Sequence, residues 1–177
     1  KCWIAQNLGA DEAPGTATDI SPGATGWYWQ FNRLQGFSFG NATVTPLSWA
    51  VPSENTSWSG VNDPCTMLLG GGWRIPTSTE WGAVKGKITT LGAGFSSELK
   101  LHAGGGAEGT NNPTVPSLVA RGTDGYYWTS TNVSNDGIAA YFFKLTSSQT
   151  YLPSWKKASY YAVRCIRDNT AALLPQL

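Results

Sequence analysis

Residues that most enzymes and charged-ligand binders depend on are scarce in this sequence. It has one His, one Met and three Cys in 177 residues. Charged residues make up 13%, about half the usual share. Twelve Lys and Arg stand against eleven Asp and Glu, a net charge of +1. Such a balance provides no basic field to gather nucleic acid and no polybasic patch for a membrane surface. There is no CxxC pair, and His102 stands alone in Leu101-His102-Ala103-Gly104, so a zinc site lacks its ligand set. No apolar run approaches the roughly 18 residues that a membrane-spanning helix needs. No charged-then-apolar leader precedes Lys1, and this start neither shows nor excludes secretion.

Catalytic signatures are missing too. No Gly-x-Ser-x-Gly occurs, and Gly104-Gly105-Gly106 is not followed by the Lys-bearing helix of a phosphate-binding loop. A glycosidase would need two carboxylates in one frame. Glu80 is engaged in a helix cap, and no two others stand in a convincing frame. Asn62-Asp63-Pro64 has calcium-type atoms but not the arrangement of a calcium-dependent sugar site. The expectation is a protein that is not an enzyme and carries no cofactor and no metal.

What the chain does have is rings and turns: nine Trp, seven Tyr, 21 Gly and 10 Pro. Trp and Tyr bury large areas while keeping a polar handle, so they suit cores and recognition surfaces alike. Long helices prefer residues that are sparse here. The reading is an α+β fold of short antiparallel strands, one or two helices and extensive loops.

Thr77-Ser78-Thr79-Glu80 is a capping box, with Pro76 in the entry turn. Trp81, Val84, Ile88 and Leu91 follow at helical spacing, for a helix of about two to three turns. Gly82 and Gly86 weaken it. Residues 92–125 read as loop. Residues 126–168 read as a β-meander, in which Phe143 and Leu145 face inward and Phe142 and Lys144 face outward. Residues 149–156 read as a connection between strands. Asn135-Asp136-Gly137 is turn chemistry. Trp73, Trp81 and Trp128 read as core. Any two of Cys2, Cys65 and Cys165 could pair, or all three could be buried thiols.

Three segments carry a resemblance. They are Lys1-Cys2-Trp3-Ile4-Ala5-Gln6-Asn7-Leu8; then Asp63-Pro64-Cys65 with Gly72-Trp73-Arg74-Ile75-Pro76-Thr77 and Glu80-Trp81; then Tyr127-Trp128-Thr129-Ser130-Thr131 with Val163-Arg164-Cys165-Ile166-Arg167-Asp168. Together they resemble the major paralogous domain family first named from Fibrobacter succinogenes, over nearly the whole chain. The ten-residue stretch from Cys65 to Arg74 is longer than the family's usual spacing. That family is similar to C-type-lectin-like domains, which implies a Cys65–Cys165 disulfide and leaves Cys2 without a partner. It also implies one domain over 1–168 with a tail at 169–177.

Residues 128–168 look like the variable regions written by diversity-generating retroelements, at phage tail-fibre tips and on bacterial surface proteins. The resemblance therefore implies a non-catalytic domain facing outward from a virion tail or bacterial cell. Its partner would be a host or cell-surface protein or glycan, with no nucleic acid and no membrane insertion. Tail-fibre proteins are commonly homotrimers of a longer chain. A glycan-binding adhesin of a bacterial surface or pilus protein is the alternative, and a structural cap that binds nothing is a third reading. Candidate ligand-binding residues are Asn132, Val133, Asn135, Phe142, Lys144, Gln149, Tyr151, Trp155, Lys156 and Tyr160. Tyr151 and Trp155 lead because large aromatics on a scaffold-held loop are typical anchors.

Overall fold

Ring-bearing residues dominate the stretch from Tyr126 to Leu145, and their alternation sets the architecture. In the computed structural model, which describes residues 1–39, 53–108 and 117–169, this stretch is an antiparallel pair. Tyr127 lies opposite Phe143 and Trp128 opposite Phe142. In chain order the elements are β1 (Cys2–Trp3), α1 (Pro22–Thr25), β2 (Tyr28–Gln30), β3 (Gly36–Phe37), α2 (Pro64–Leu69), α3 (Ser78–Lys85), α4 (Leu91–Ser96), β4 (Gly106–Glu108), β5 (Ser117–Val119), β6 (Gly125–Asn132), β7 (Ala139–Leu145), β8 (Thr150–Tyr151), β9 (Ser154–Lys156), β10 (Tyr160–Ala162) and β11 (Ile166–Arg167). The main sheet runs β3-β2-β10-β6-β7-β8, with β4 also on β10, β5 on β4 and β9 on β7. β10 runs parallel to β6 and antiparallel to β2. A separate antiparallel pair joins β1 to β11.

The fold is thus α+β and mostly sheet, with four short helices among the described residues where one or two were expected. The capping box forms as read: Thr77 accepts from the Glu80 backbone, and Glu80 accepts from that of Thr77. However, α3 stops at Lys85, because Gly86 is a poor helix former. Ile88 sits in the following turn, bonded back to Val84. Leu91 opens α4 behind a Thr90 cap. The single apolar period was two helices end to end. The buried carboxylate of Asp63 caps α2 and reaches the Ile75 amide with its second oxygen. Pro64 occupies the first turn of that helix, where no N–H is needed.

Both faces of the β6–β7 pair are covered. On one, Tyr127, Phe143 and Leu145 pack against Trp81, Leu91 and Leu101, and the Phe143 ring stacks on Trp81 at 4.6 Å and 9°. On the other, Trp128, Phe142 and Tyr161 pack with Trp29, Phe31 and Trp58. Phe143 and Leu145 face the helices as expected. Phe142 does point the opposite way, but it is only 6% exposed. Alternation tells the two faces of a strand apart; it does not tell which of them meets water. Trp81 and Trp128 are wholly buried. Trp73 is half-buried under the Arg167 guanidinium, 4.8 Å from its ring centre.

Cys65 and Cys165 form a disulfide across a sequence separation of 100 residues; Cys2 is a free thiol. Next to Cys165, the wholly buried Arg164 donates to the Asn7 side chain and to the carbonyls of Ile4, Leu99 and Lys100. Burial lowers its pKa to about 10, so it stays cationic at neutral pH. His102 is buried beside it, and neither ring nitrogen has a hydrogen-bond partner among the described residues. Burial first, and the Arg164 charge second, hold the imidazole at about 4; Asp19 and the Lys100 backbone act weakly the other way. No helix among the described residues is long and apolar enough to cross a membrane.

Replacing Cys65 and Cys165 together by Ala should lower stability by about 3–5 kcal/mol, since the bridge closes a long loop in the unfolded chain. Urea unfolding measures this, and a loss under about 1 kcal/mol would remove the bridge as a principal brace. His102 makes the fold acid-sensitive. Its folded pKa lies below the ordinary 6.5, so the unfolded chain takes the proton more readily. The contribution of neutral His102 is complete above that value and is lost as pH falls toward 4, on the order of 3 kcal/mol. His102→Leu should flatten that part of the stability–pH curve. Parallel wild-type and variant curves would place the acid-labile group elsewhere.

Candidate functional site

The segment read as a connection is an edge strand. Lys144 lies opposite Tyr151, Ala140 lies opposite Trp155, and the Phe142 amide donates to the Pro153 carbonyl at 3.0 Å. The count between these pairs is the same on both strands, so β8 and β9 share one register along β7. The ladder is interrupted where Pro153 has no N–H to give. That residue type is tolerated at a sheet edge and is what disguised the strand in the sequence.

Register then fixes direction. Paired residues share a face and alternate along the strand, so Tyr151, Pro153 and Trp155 stand on the same face as Lys144, Phe142 and Ala140. There they bound a groove of about 450 Å³, lined also by Glu108, Tyr126, Thr146 and Ser154. Phe142 is its buried floor. Tyr151 is 38% exposed and Trp155 44%. Four candidates from the sequence, Phe142, Lys144, Tyr151 and Trp155, are thus gathered in one place.

Charges around the groove are matched. The Lys144 ammonium lies 3.0 Å from an Asp124 carboxylate oxygen and 5.2 Å from the Tyr126 ring centre. Burial works against its charge, but Asp124 and Tyr126 outweigh that and raise its pKa. Glu108 accepts from the Tyr161 hydroxyl at 3.0 Å. Burial, and then that carboxylate, push the Tyr161 hydroxyl far above its ordinary value. Lys156 leans over the Trp155 ring, 5.9 Å from its centre.

The other candidates lie elsewhere. Asn132 ends β6 and donates to Asn55 and to the Val133 carbonyl. Val133 and Asn135 belong to the adjoining turn, in which Asn135 takes a left-handed φ of 58°. Asp136 closes that turn by accepting from the Ile138 and Ala139 amides, which is the structural role read for it. Lys157 pins the turn through the Gly137 carbonyl and reaches the Glu54 carbonyl as well. Gln149 is exposed on the far turn, hydrogen-bonded to Thr146.

Tyr160 is no surface residue. It is 2% exposed, because β10 runs through the middle of the sheet, and its ring packs edge-on to Phe37 and Phe39. Glu108, Tyr126, Thr146, Pro153 and Ser154 escaped the sequence reading. The spacing of Tyr151, Pro153 and Trp155 was a legible period of two, had Pro153 not argued against a strand. Glu108 reaches the groove only through the sheet topology. A larger apolar groove of about 670 Å³, lined by Trp3, Val84, Ile88, Leu99 and Ile166 among others, contains none of the candidates.

Among the described residues no group of three or more His, Cys, Asp or Glu is placed to hold a metal ion. No family model, curated protein or solved structure matches the chain.

Floor and rim should separate on truncation. Phe142→Ala removes a buried ring and should cost about 3–5 kcal/mol. Trp155→Ala, at the open edge, should cost less than about 1 kcal/mol. Thermal or urea unfolding of the two variants measures the contrast, and equal losses would mean that Trp155 is a packing residue.

Proposed function

We propose that the chain is a non-catalytic, C-type-lectin-like binding domain of the phage tail-fibre-tip type. It recognises a host or cell-surface molecule through the face that carries Tyr151 and Trp155. One observation carries this reading. Two large rings stay exposed on a register-fixed edge strand over a buried floor, while Trp29, Trp81 and Trp128 are wholly buried. Trp27 is as exposed as Trp155, but its ring lies against the backbone at Gly9. Rigid, amphipathic rings at a rim suit recognition at small entropic cost.

Three further features support it. The Cys65–Cys165 bridge is the pair that the family resemblance implies. Glu80, Asp63 and His102, which a catalytic site could have used, are occupied in a cap, a cap and the core. Between 132 and 160, outward positions such as Asn135, Gln149, Tyr151, Trp155 and Lys156 interleave with inward ones such as Phe143 and Leu145. A surface of that kind can change while its frame is kept. The setting is a virion tail or a bacterial cell surface, as one part of a longer and trimeric fibre. A glycan-binding adhesin would use the same face.

Sequencing this gene across many copies from one population tests the reading. Substitutions should gather at the outward positions between 132 and 160, with Trp128, Phe143, Leu145 and Arg164 unchanged. A segment as constant as the rest of the chain would defeat the diversified-surface reading.

A further inference from the structure

We infer that the groove above Phe142 takes a neutral oligosaccharide, with one sugar ring stacked on Trp155 and another on Tyr151. The inference rests on the reading of this face as the binding surface and names what that surface holds.

Size comes first. A volume of about 450 Å³ falls within the roughly 300–1,000 Å³ of small-ligand sites. A sugar ring has an apolar C–H face and a rim of hydroxyls. It therefore needs a flat ring to lie on and polar groups at the edge of that ring. The strand supplies both. Tyr151 and Trp155 are four residues apart on one face, on the order of 13 Å in extended chain. Two separate sugar rings can occupy them, with the linkage passing over Pro153. Glu108, Lys144, Thr146 and Ser154 border the same groove and offer a carboxylate, an ammonium and two hydroxyls to the ligand's hydroxyls.

Charge then narrows the class. Glu108 and Asp124 stand against Lys144 and Lys156, and Lys144 is already paired with Asp124. With two carboxylates against two ammonium groups, this is a poor seat for a sulfated or sialylated glycan, which needs a net positive one. It is equally poor for an ammonium-bearing ligand. An extended peptide is disfavoured for a different reason. A strand added at this edge would find only two short strands, of two and three residues, separated at Pro153.

The test uses the purified chain, Trp155→Ala, Tyr151→Ala and Trp155→Phe. They are applied to a printed array of neutral, sialylated and sulfated oligosaccharides and to an array of proline-rich peptides, with and without EDTA. The wild type should retain neutral oligosaccharides only, with or without EDTA. Each Ala variant should bind at least about tenfold more weakly while its thermal unfolding stays close to wild type. Trp155→Phe should keep part of the binding, as a stacking ring would. Preference for acidic glycans or peptides, loss of binding in EDTA, or no neutral glycan bound overturns the inference. If whatever binds still depends on Trp155, the reading of the face survives. Neutral-glycan binding that is indifferent to both Ala changes places the site elsewhere and overturns both.

Discussion

A guanidinium shut away from water must find an acceptor for its N–H groups, and Arg164 finds its acceptors in two distant parts of the chain. The Asn7 side chain and the Ile4 carbonyl belong to the first residues; the Leu99 and Lys100 carbonyls follow α4. An unmatched charge in such a place costs several kcal/mol, so these segments have little freedom to be anywhere else. Backbone bonds from Ile4 to Cys165 and from Leu8 to Val163 run alongside. The next residue, Cys165, is bridged to α2. The last strands are thereby joined to the first residues, to the helical side and to α2 within a few positions. His102 stays neutral there because burial first, and the neighbouring Arg164 charge second, disfavour its proton.

That anchorage allows a sheet with rings on both sides. The helices cover one face, and segments around Trp29, Phe31 and Trp58 cover the other. Cover gives out at the outer edge of β7, where no further strand pairs with β8 or β9 among the described residues. Tyr151, Pro153 and Trp155 emerge there. The groove is thus a continuation of the core's own aromatic packing, and its floor, Phe142, is shared with the core.

Local signals in the sequence were reliable where the physics is local. The capping box at Thr77 needs four residues and forms as read. The sense of alternation along β7 also holds, with Phe143 and Leu145 turned to the helices. What could not be read was which elements, remote in sequence, cover each face. Phe142 looked exposed because Trp29, Phe31 and Trp58 are far away along the chain. Tyr160 looked accessible because the central place of β10 depends on β2 and β4. Gly82 and Gly86 weaken the α3 period, and Gly86 is where it breaks. Of the site, the two rim aromatics and Lys144 were legible. Glu108 was not, since it arrives at the groove through β10 and not through any spacing. Of the tail at 169–177, residues 170–177 lie outside the described residues.

Pro153 also governs how copies of this domain tolerate one another. An outermost strand with a full row of amide donors is a template on which the strand of a neighbouring molecule can crystallise, and aromatic-rich strands do so readily. β8 and β9 are two and three residues long and Pro153 breaks the ladder between them, so the template is short whatever side chains stand at 151 and 155. Crowded side by side at high local density, such molecules can keep exposed rings without zipping together. Resistance to edge-to-edge pairing is therefore set by the backbone of this strip and not by which rings stand on it.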